Sequence, residues 1–191
     1  MKGVGKGFPT PFFIGLFRIN CISQVIGPIS ENCSMDAENK IIVLGIGNLL
    51  LKDEGVGVHL LKELEKEALP SSVELVDGGT STLNILPLLK GARKIIVIDA
   101  MKAGDEPGSI YRCCPKDLIP APDAPMSLHH IDFLQALKMA KLLGYDLEDQ
   151  TIIYGVEPEE ISWEIGLSPK IRHKMAKLKE LVLEEINKPT S

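Results

Sequence analysis

The sequence predicts an α/β protein of three layers, a twisted, mainly parallel five-stranded sheet with helices on both faces. Two observations carry that prediction. Short apolar, β-branched runs recur along the chain, and they are too uniformly apolar to have a wet face, as strands covered on both sides require. Between them lie segments whose apolar residues repeat at helical spacing, so that right-handed crossovers lay the strands side by side.

The elements follow in order. Residues 1–40 have scattered Gly and Pro, two cysteines and weak periodicity. They read as an N-terminal extension, poorly ordered or upstream of a true start at Met35. A signal peptide is the alternative, because Lys2 and Lys6 precede an apolar patch, but that patch is interrupted and no small-residue cleavage site follows. Residues 41–191 read as one α/β domain. Ile41-Ile42-Val43-Leu44 is the first strand. Val56, Leu60, Leu61, Leu64 and Ala68 then recur at helical spacing, with Asp53 placed as an N-cap and Pro70 marking the exit. Val73 to Val76 is the second strand, Ile85 to Leu89 a short helix, and Lys94 to Ile98 a third strand as apolar as the first. Ser109 to Arg112 reads as a short edge strand after the Pro107-Gly108 turn. A Pro-rich loop through Pro115, Pro120, Pro122 and Pro125 leads to a helix from about Ser127, with Ile131, Leu134, Leu137 and Leu142 on its apolar face and Gly144 as its stop. Thr151 to Val156 is the last strand. Ser168 and Pro169 open a final amphipathic helix with Ile171, Met175, Leu178, Val182 and Ile186 on one side.

Composition removes several classes. Hydrophobic residues at 45% and charged residues at 25% describe an ordinary globular protein, which excludes disordered, collagen-like and disulfide-scaffold chains. Twenty-one Lys and Arg against 26 Asp and Glu leave a net charge of -5, the wrong sign for a general nucleic-acid binder. Cys21, Cys33, Cys113 and Cys114 form no CxxC pair and no zinc-finger spacing, so a reducing cytoplasm is expected. The apolar patch near Phe12 to Phe17 is bounded by Pro9, Pro11 and Arg18, short of the roughly 20 residues that span a bilayer, so no membrane helix is expected.

In a parallel sheet, ligands bind where the strands end and the strand-to-helix loops emerge. Here those loops carry Asn48, Asp53 and Glu54, then Asp77-Gly78-Gly79-Thr80, then Asp99, then Ser127 and His129-His130. One chemistry for such a rim is dinucleotide binding, since Gly45-Ile46-Gly47 follows a strand and Asp77 ends the next. However, Leu50 replaces the third glycine, and Asp53 and Glu54 would repel a pyrophosphate. The other is a divalent metal held by Glu54, Asp99 and one histidine, a donor set that suits zinc or nickel. His129 and His130 stand about 100 degrees apart on a helix, so one of them points inward, and His129 is chosen.

Blander roles stand beside these. Asp53 and Asp77 read equally well as cap or turn residues. His59, His173, Trp163 and the Cys113-Cys114 pair read as surface or packing residues. Asp99 resists that reading: an acid directly after Ile95-Ile96-Val97-Ile98 lies at the buried end of a central strand, where a carboxylate needs a partner.

Gly45-Ile-Gly-Asn-Leu-Leu-Leu-Lys-Asp-Glu-Gly-Val-Gly57, Asp77-Gly-Gly-Thr80, Ile98-Asp-Ala100, Ser127-Leu-His129, Gly155-Val-Glu-Pro-Glu159 and Gly166-Leu-Ser-Pro169 occur together in order. Over residues 41 to 187 the chain resembles the [NiFe]-hydrogenase maturation proteases. The resemblance implies an endopeptidase that removes a short C-terminal extension from a hydrogenase large-subunit precursor after nickel insertion. It implies that Glu54, Asp99 and His129 contact the metal and form the catalytic site, and Asp77, Gly78 and Gly79 are assigned to substrate binding. Leu128 stands where relatives often have proline, and His130 takes the histidine role under a one-residue register shift. Nickel would be presented by the precursor, with zinc or cadmium able to substitute in vitro, and the enzyme would be a monomer without nucleic-acid or membrane partners. No GxSxG elbow, HExxH helix or aspartic-protease signature is present. The competing classes are a nucleotide-binding oxidoreductase and a non-catalytic nickel-binding assembly factor.

Overall fold

The computed structural model describes residues 39–80, 83–118 and 128–189. The N-terminal extension and most of the Pro-rich loop, including Ser127, lie outside them. Five strands are present: β1 (Lys40–Ile46), β2 (Val73–Gly79), β3 (Ala92–Ala100), β4 (Ile110–Cys113) and β5 (Thr151–Val156). They form one sheet in the order β2-β1-β3-β5-β4. The first four in that order are mutually parallel, and β4, the expected short edge strand, closes the edge antiparallel to β5. Four helices cover the sheet: α1 (Val56–Leu64), α2 (Leu86–Leu89), α3 (Leu128–Leu142) and α4 (Pro169–Asn187).

The period-2 geometry of the strands divides the core in two. Ile41 and Val43 of β1, with Ile96 and Ile98 of β3, point to one face and pack with Val56, Leu60 and Leu64 of α1 and Ile171, Leu178, Val182 and Ile186 of α4. Ile42, Leu44, Ile95 and Val97 point to the other and pack with Leu86 and Leu89 of α2 and Phe133, Ala136, Leu137 and Ala140 of α3. Both faces are dry, which is why these strands read as continuous apolar runs.

Three expectations at helix ends are corrected. α1 stops at Leu64, so Ala68 and Pro70 lie beyond it in the turn that leads to β2. Leu142 is 82% exposed and not on the buried face. α3 ends there in a Schellman arrangement, with Tyr145 N–H donating to the Ala140 carbonyl and Gly144 N–H to that of Lys141, while Gly144 takes a φ of 92°. Asp53 does not cap α1. The residue at that position is Gly55, with no side-chain cap bond.

α4 matches its sequence signals. Ser168 is the N-cap, its hydroxyl accepting the Ile171 N–H at 3.5 Å, and Pro169 occupies the first turn. The other end of α4 is held by a buried lysine: Lys94 Nζ donates to the carbonyls of Glu185 and Lys188, both at 2.7 Å. Burial lowers the pKa of Lys94, but its ammonium gives these carbonyls the donor that the closing turn of a helix otherwise finds in water. Among the described residues no helix is long and apolar enough to cross a membrane.

Candidate functional site

Because β1, β2, β3 and β5 are parallel, the segments that follow them emerge along one edge of the sheet. The segment after β1 folds back tightly. Gly47 has a φ of 132°, and a Cβ there would sit 1.8 Å from the carbonyl oxygen of Glu54, so only glycine lets this loop close. Gly57, in the first turn of α1, has the same kind of constraint: a Cβ would lie 2.3 Å from the Ile98 carbonyl and 2.5 Å from that of Ile46. The start of α1 is thereby drawn against the ends of β1 and β3, one residue short of Asp99. The 3₁₀ turn Lys52–Gly55, which contains Asp53 and Glu54, comes with it.

Asp53 is 1% exposed, and its carboxylate accepts three backbone N–H groups: Glu159 and Glu160, both at 2.9 Å, and Ser168 at 2.7 Å. It therefore organises the segment between β5 and α4 instead of its own helix. Its neighbour Lys52, a non-glycine residue at a φ of 51°, binds the same segment from outside, with Nζ 2.6 Å from a Glu160 oxygen and 2.8 Å from one of Glu164. Those two carboxylates hold the Lys52 ammonium above the ordinary lysine range. Between two such anchors, the position of Glu54 is set by both loops.

Asp99 is 1% exposed at the end of the central strand β3, flanked by β1 and β5. Its Oδ1 accepts the Ala100 N–H at 2.8 Å. Burial pushes its carboxyl up to about 8; the Glu54 charge acts in the same direction, against the Ala100 N–H. The fold thus brings Glu54 and Asp99, 45 residues apart in sequence, within electrostatic reach of one another. A buried carboxyl whose ionisation is opposed by burial and by a neighbouring acid suits a cation. His129 falls in the first turn of α3, and its side chain, like that of His130, lies outside the described residues. Among the described residues no three His, Cys, Asp or Glu side chains gather closely enough to hold a metal.

Asp77 stands on the same rim at the end of the outer strand β2, beside Gly45. Its Oδ1 accepts the Gly79 N–H at 2.8 Å, so at this position the turn role is realised. Gly78 is buried against Leu44 and Gly45, and Gly79 takes a φ of 50°.

Sequence reasoning missed Glu157. It is 6% exposed, and its Oε2 accepts the N–H groups of Ala103 at 2.7 Å and Gly104 at 3.2 Å and the Tyr111 hydroxyl at 2.8 Å. It fixes the loop that leaves Asp99 toward β4. The signal that singled out Asp99, an acid closing an apolar strand, applies equally to Glu157 after β5. Of the residues read as packing or surface, His59 is half-buried on α1, where burial, then Lys62 and Arg172, lowers its pKa; Trp163 is 82% exposed.

A family model described as hydrogenase maturation protease matches residues 58–185. The chain is 40% identical over 124 residues to the hydrogenase expression/formation protein HupD of Rhodobacter capsulatus, covering 64% of this chain and 59% of that one. It is 36% identical over 143 residues to HupD of Bradyrhizobium diazoefficiens, covering 73% of each. With the hydrogenase 2 maturation protease of Escherichia coli it shares 30% identity over 146 residues, 75% of this chain and 88% of the other. Among solved structures, the hydrogenase maturating endopeptidase HybD from Escherichia coli superposes with a TM-score of 0.69 at 29% identity, covering 77% of this chain and 91% of that one. The matched span contains Asp99 and the α3 histidines, Glu54 lies just before it, and the mainly parallel α/β sheet is the fold these neighbours share; the chain belongs to the hydrogenase maturation protease family.

Proposed function

We propose that this protein is an endopeptidase that removes a C-terminal extension from a nickel-loaded [NiFe]-hydrogenase large-subunit precursor, and that Glu54, Asp99 and His129 recognise the nickel. The observation that carries the reading is the placement of buried Asp99 at the end of the central strand with the turn that bears Glu54 drawn against it, close enough for the Glu54 charge to act on Asp99. A divalent cation there relieves the repulsion between the two carboxylates and offsets the cost of burying Asp99. The nickel is cargo of the substrate, so its arrival at these residues reports that the precursor is complete.

Each residue has a distinct task in this reading. Glu54 and Asp99 supply oxygen ligands and His129 a nitrogen, which seats the scissile bond beside the metal. Held by these residues, the substrate's nickel would supply polarisation of the carbonyl or acidification of a water, either of which would contribute several kcal/mol to the transition state. Asp77, Gly78 and Gly79 receive the substrate chain. In support of this, β2 is one of the two outer strands of the sheet, and an extended peptide can pair with an outer edge. The enzyme acts as a cytoplasmic monomer, and zinc or cadmium can stand in for nickel in vitro.

The dinucleotide reading has little room in this geometry. The segment after Gly47 is a 3₁₀ turn bearing two acids, and Asp77 is engaged with its own turn. A non-catalytic assembly factor differs from the proposal only in turnover. Mass spectrometry of nickel-loaded precursor incubated with the protein tests this: loss of a C-terminal peptide supports the proposal, and an intact precursor in a stable complex favours the assembly factor. Cleavage of nickel-free precursor at the same rate would remove nickel recognition from the account.

A further inference from the structure

The segment between β5 and α4 turns large apolar side chains to solvent. Trp163 is 82% exposed, Ile165 78% and Ile161 36%, and Leu50, across from them on the loop after β1, is 51% exposed. Scattered exposed residues are ordinary, but these four sit on two segments joined to each other. Leu51 and Glu164 form a parallel bridge, Lys52 N–H donates to the Glu164 carbonyl at 2.8 Å, and Asp53 N–H to that of Glu160 at 3.3 Å. The Lys52 ion pairs and the Asp53 carboxylate complete the frame. The apolar groups are therefore held on a built platform, and holding them costs little ordering entropy when something binds. The exposed charge around them is mixed, with acids in the majority. From Glu157 to Ser168 the chain has no Lys, Arg or His and four acids, of which Glu157 is buried and Glu159, Glu160 and Glu164 are exposed. Lys52 faces Glu160 and Glu164 and Lys170 pairs with Glu159, so three carboxylates against two ammonium groups leave the collar one charge negative.

We propose that Trp163, Ile161, Ile165 and Leu50 form the surface on which the hydrogenase large-subunit precursor docks, against a patch of that precursor which is apolar at its centre and rimmed by lysine or arginine. The inference rests on the function proposed above and adds where the precursor is held. Three features select this occupant. The platform is continuous with the turn that carries Glu54, three residues after Leu51, so a partner seated on it reaches the candidate metal site. A solvent-exposed tryptophan two residues from Ile161 and from Ile165, on a segment paired with the one that carries Leu50, has the composition of an interface anchor. The acidic collar disfavours a second copy of this chain, whose own collar has the same sign, and disfavours an anionic lipid surface.

Trp163 is the sole tryptophan of the chain, so replacing it with 5-fluorotryptophan gives one ¹⁹F resonance that reports on this surface alone. Nickel-loaded precursor is titrated into the labelled full-length Glu54→Gln protein, and cleavage by wild type, Trp163→Ala and Ile165→Asp is followed against precursor concentration. The expected results are a saturable ¹⁹F shift, KM raised about tenfold or more in both surface variants with kcat within about twofold, and a KM that rises with ionic strength. Wild-type cleavage with an unmoved resonance and unchanged KM in both variants overturns the docking surface and leaves the proposed function standing. A saturable shift without any wild-type cleavage supports docking and overturns the enzymatic reading. A dimer without precursor that Trp163→Ala converts to monomer assigns the surface to a second copy and overturns the proposal.

Discussion

The Asp53 carboxylate accepts the Ser168 N–H at 2.7 Å, joining two residues 115 positions apart. Ser168 is the N-cap of α4, so one buried acid ties the turn bearing Glu54 to the start of the last helix. A carboxylate accepting three N–H groups is a strong construction, and exchanging one oxygen for an amide sets a donor against a donor. Asp53→Asn is expected to lose about 2–3 kcal/mol of stability in denaturant unfolding. Precursor cleavage should fall further than the lost folded fraction explains, because Glu54 loses its frame.

Gly57 tests the close approach that brings the acids together. Its Cβ would overlap the Ile98 and Ile46 carbonyls, which are backbone and cannot swing away. Gly57→Ala should therefore cost about 3 kcal/mol or abolish soluble expression. Gly104→Ala meets nothing within 4 Å and is strained only by its φ of 89°, so it should cost about 1 kcal/mol. Thermal unfolding of the two variants gives the comparison.

The sheet was legible because both its faces are covered, which leaves β1, β3 and β5 as plain apolar runs; the Ser168-Pro169 pair marked the start of α4 by local chemistry alone. Where partners are distant the sequence is silent. Asp53 looks like a local cap, and nothing nearby reveals that its hydrogen bonds go to residues 159–168. Leu142 keeps the helical period but falls where the Schellman turn lifts the chain away from the sheet. Of the proposed metal-binding set, Glu54 and Asp99 could be placed on one rim from strand order, whereas which α3 histidine would join them is a matter of rotation that periodicity does not fix. Glu157 and Lys94 went unnoticed because their roles depend on loops and helix ends that only the fold brings near.

The pH dependence of Asp99 has a definite sign. Burial and the Glu54 charge raise its pKa from 3.8 to about 8. The folded protein then retains a proton that the unfolded chain releases, so in metal-free protein its contribution to stability is full below about pH 4 and is lost as pH rises through about 8. Asp99→Asn should remove that loss in unfolding experiments across the range. A cation must displace the same proton, so calorimetric affinity for nickel or cadmium should fall about tenfold per pH unit below about pH 8.

Glu185 behaves in the opposite way. Burial raises its pKa, but Arg112 at 3.0 Å and 3.2 Å, Lys188 at 3.1 Å and Tyr154 at 3.0 Å outweigh burial and bring it down to about 2. A depressed carboxyl stabilises the fold above its unfolded pKa, and that stability is lost as pH falls from about 4.5 through about 2. Glu185→Gln should lower stability at neutral pH by about 1–3 kcal/mol and flatten the acid limb of the unfolding profile. Precursor cleavage by the remaining folded protein should be unchanged, since the Glu185 carboxylate and its partners Arg112, Tyr154 and Lys188 have no part in the candidate site.

Anomalous scattering from crystals of the protein soaked with nickel or cadmium tests the central claim most directly. The account predicts one peak about 2.0–2.4 Å from a carboxylate oxygen of Glu54, a carboxylate oxygen of Asp99 and a ring nitrogen of His129. The peak should disappear in Asp99→Asn. A peak held by other residues, or Glu54 and Asp99 without a common metal in crystals that bind the ion elsewhere, would contradict it.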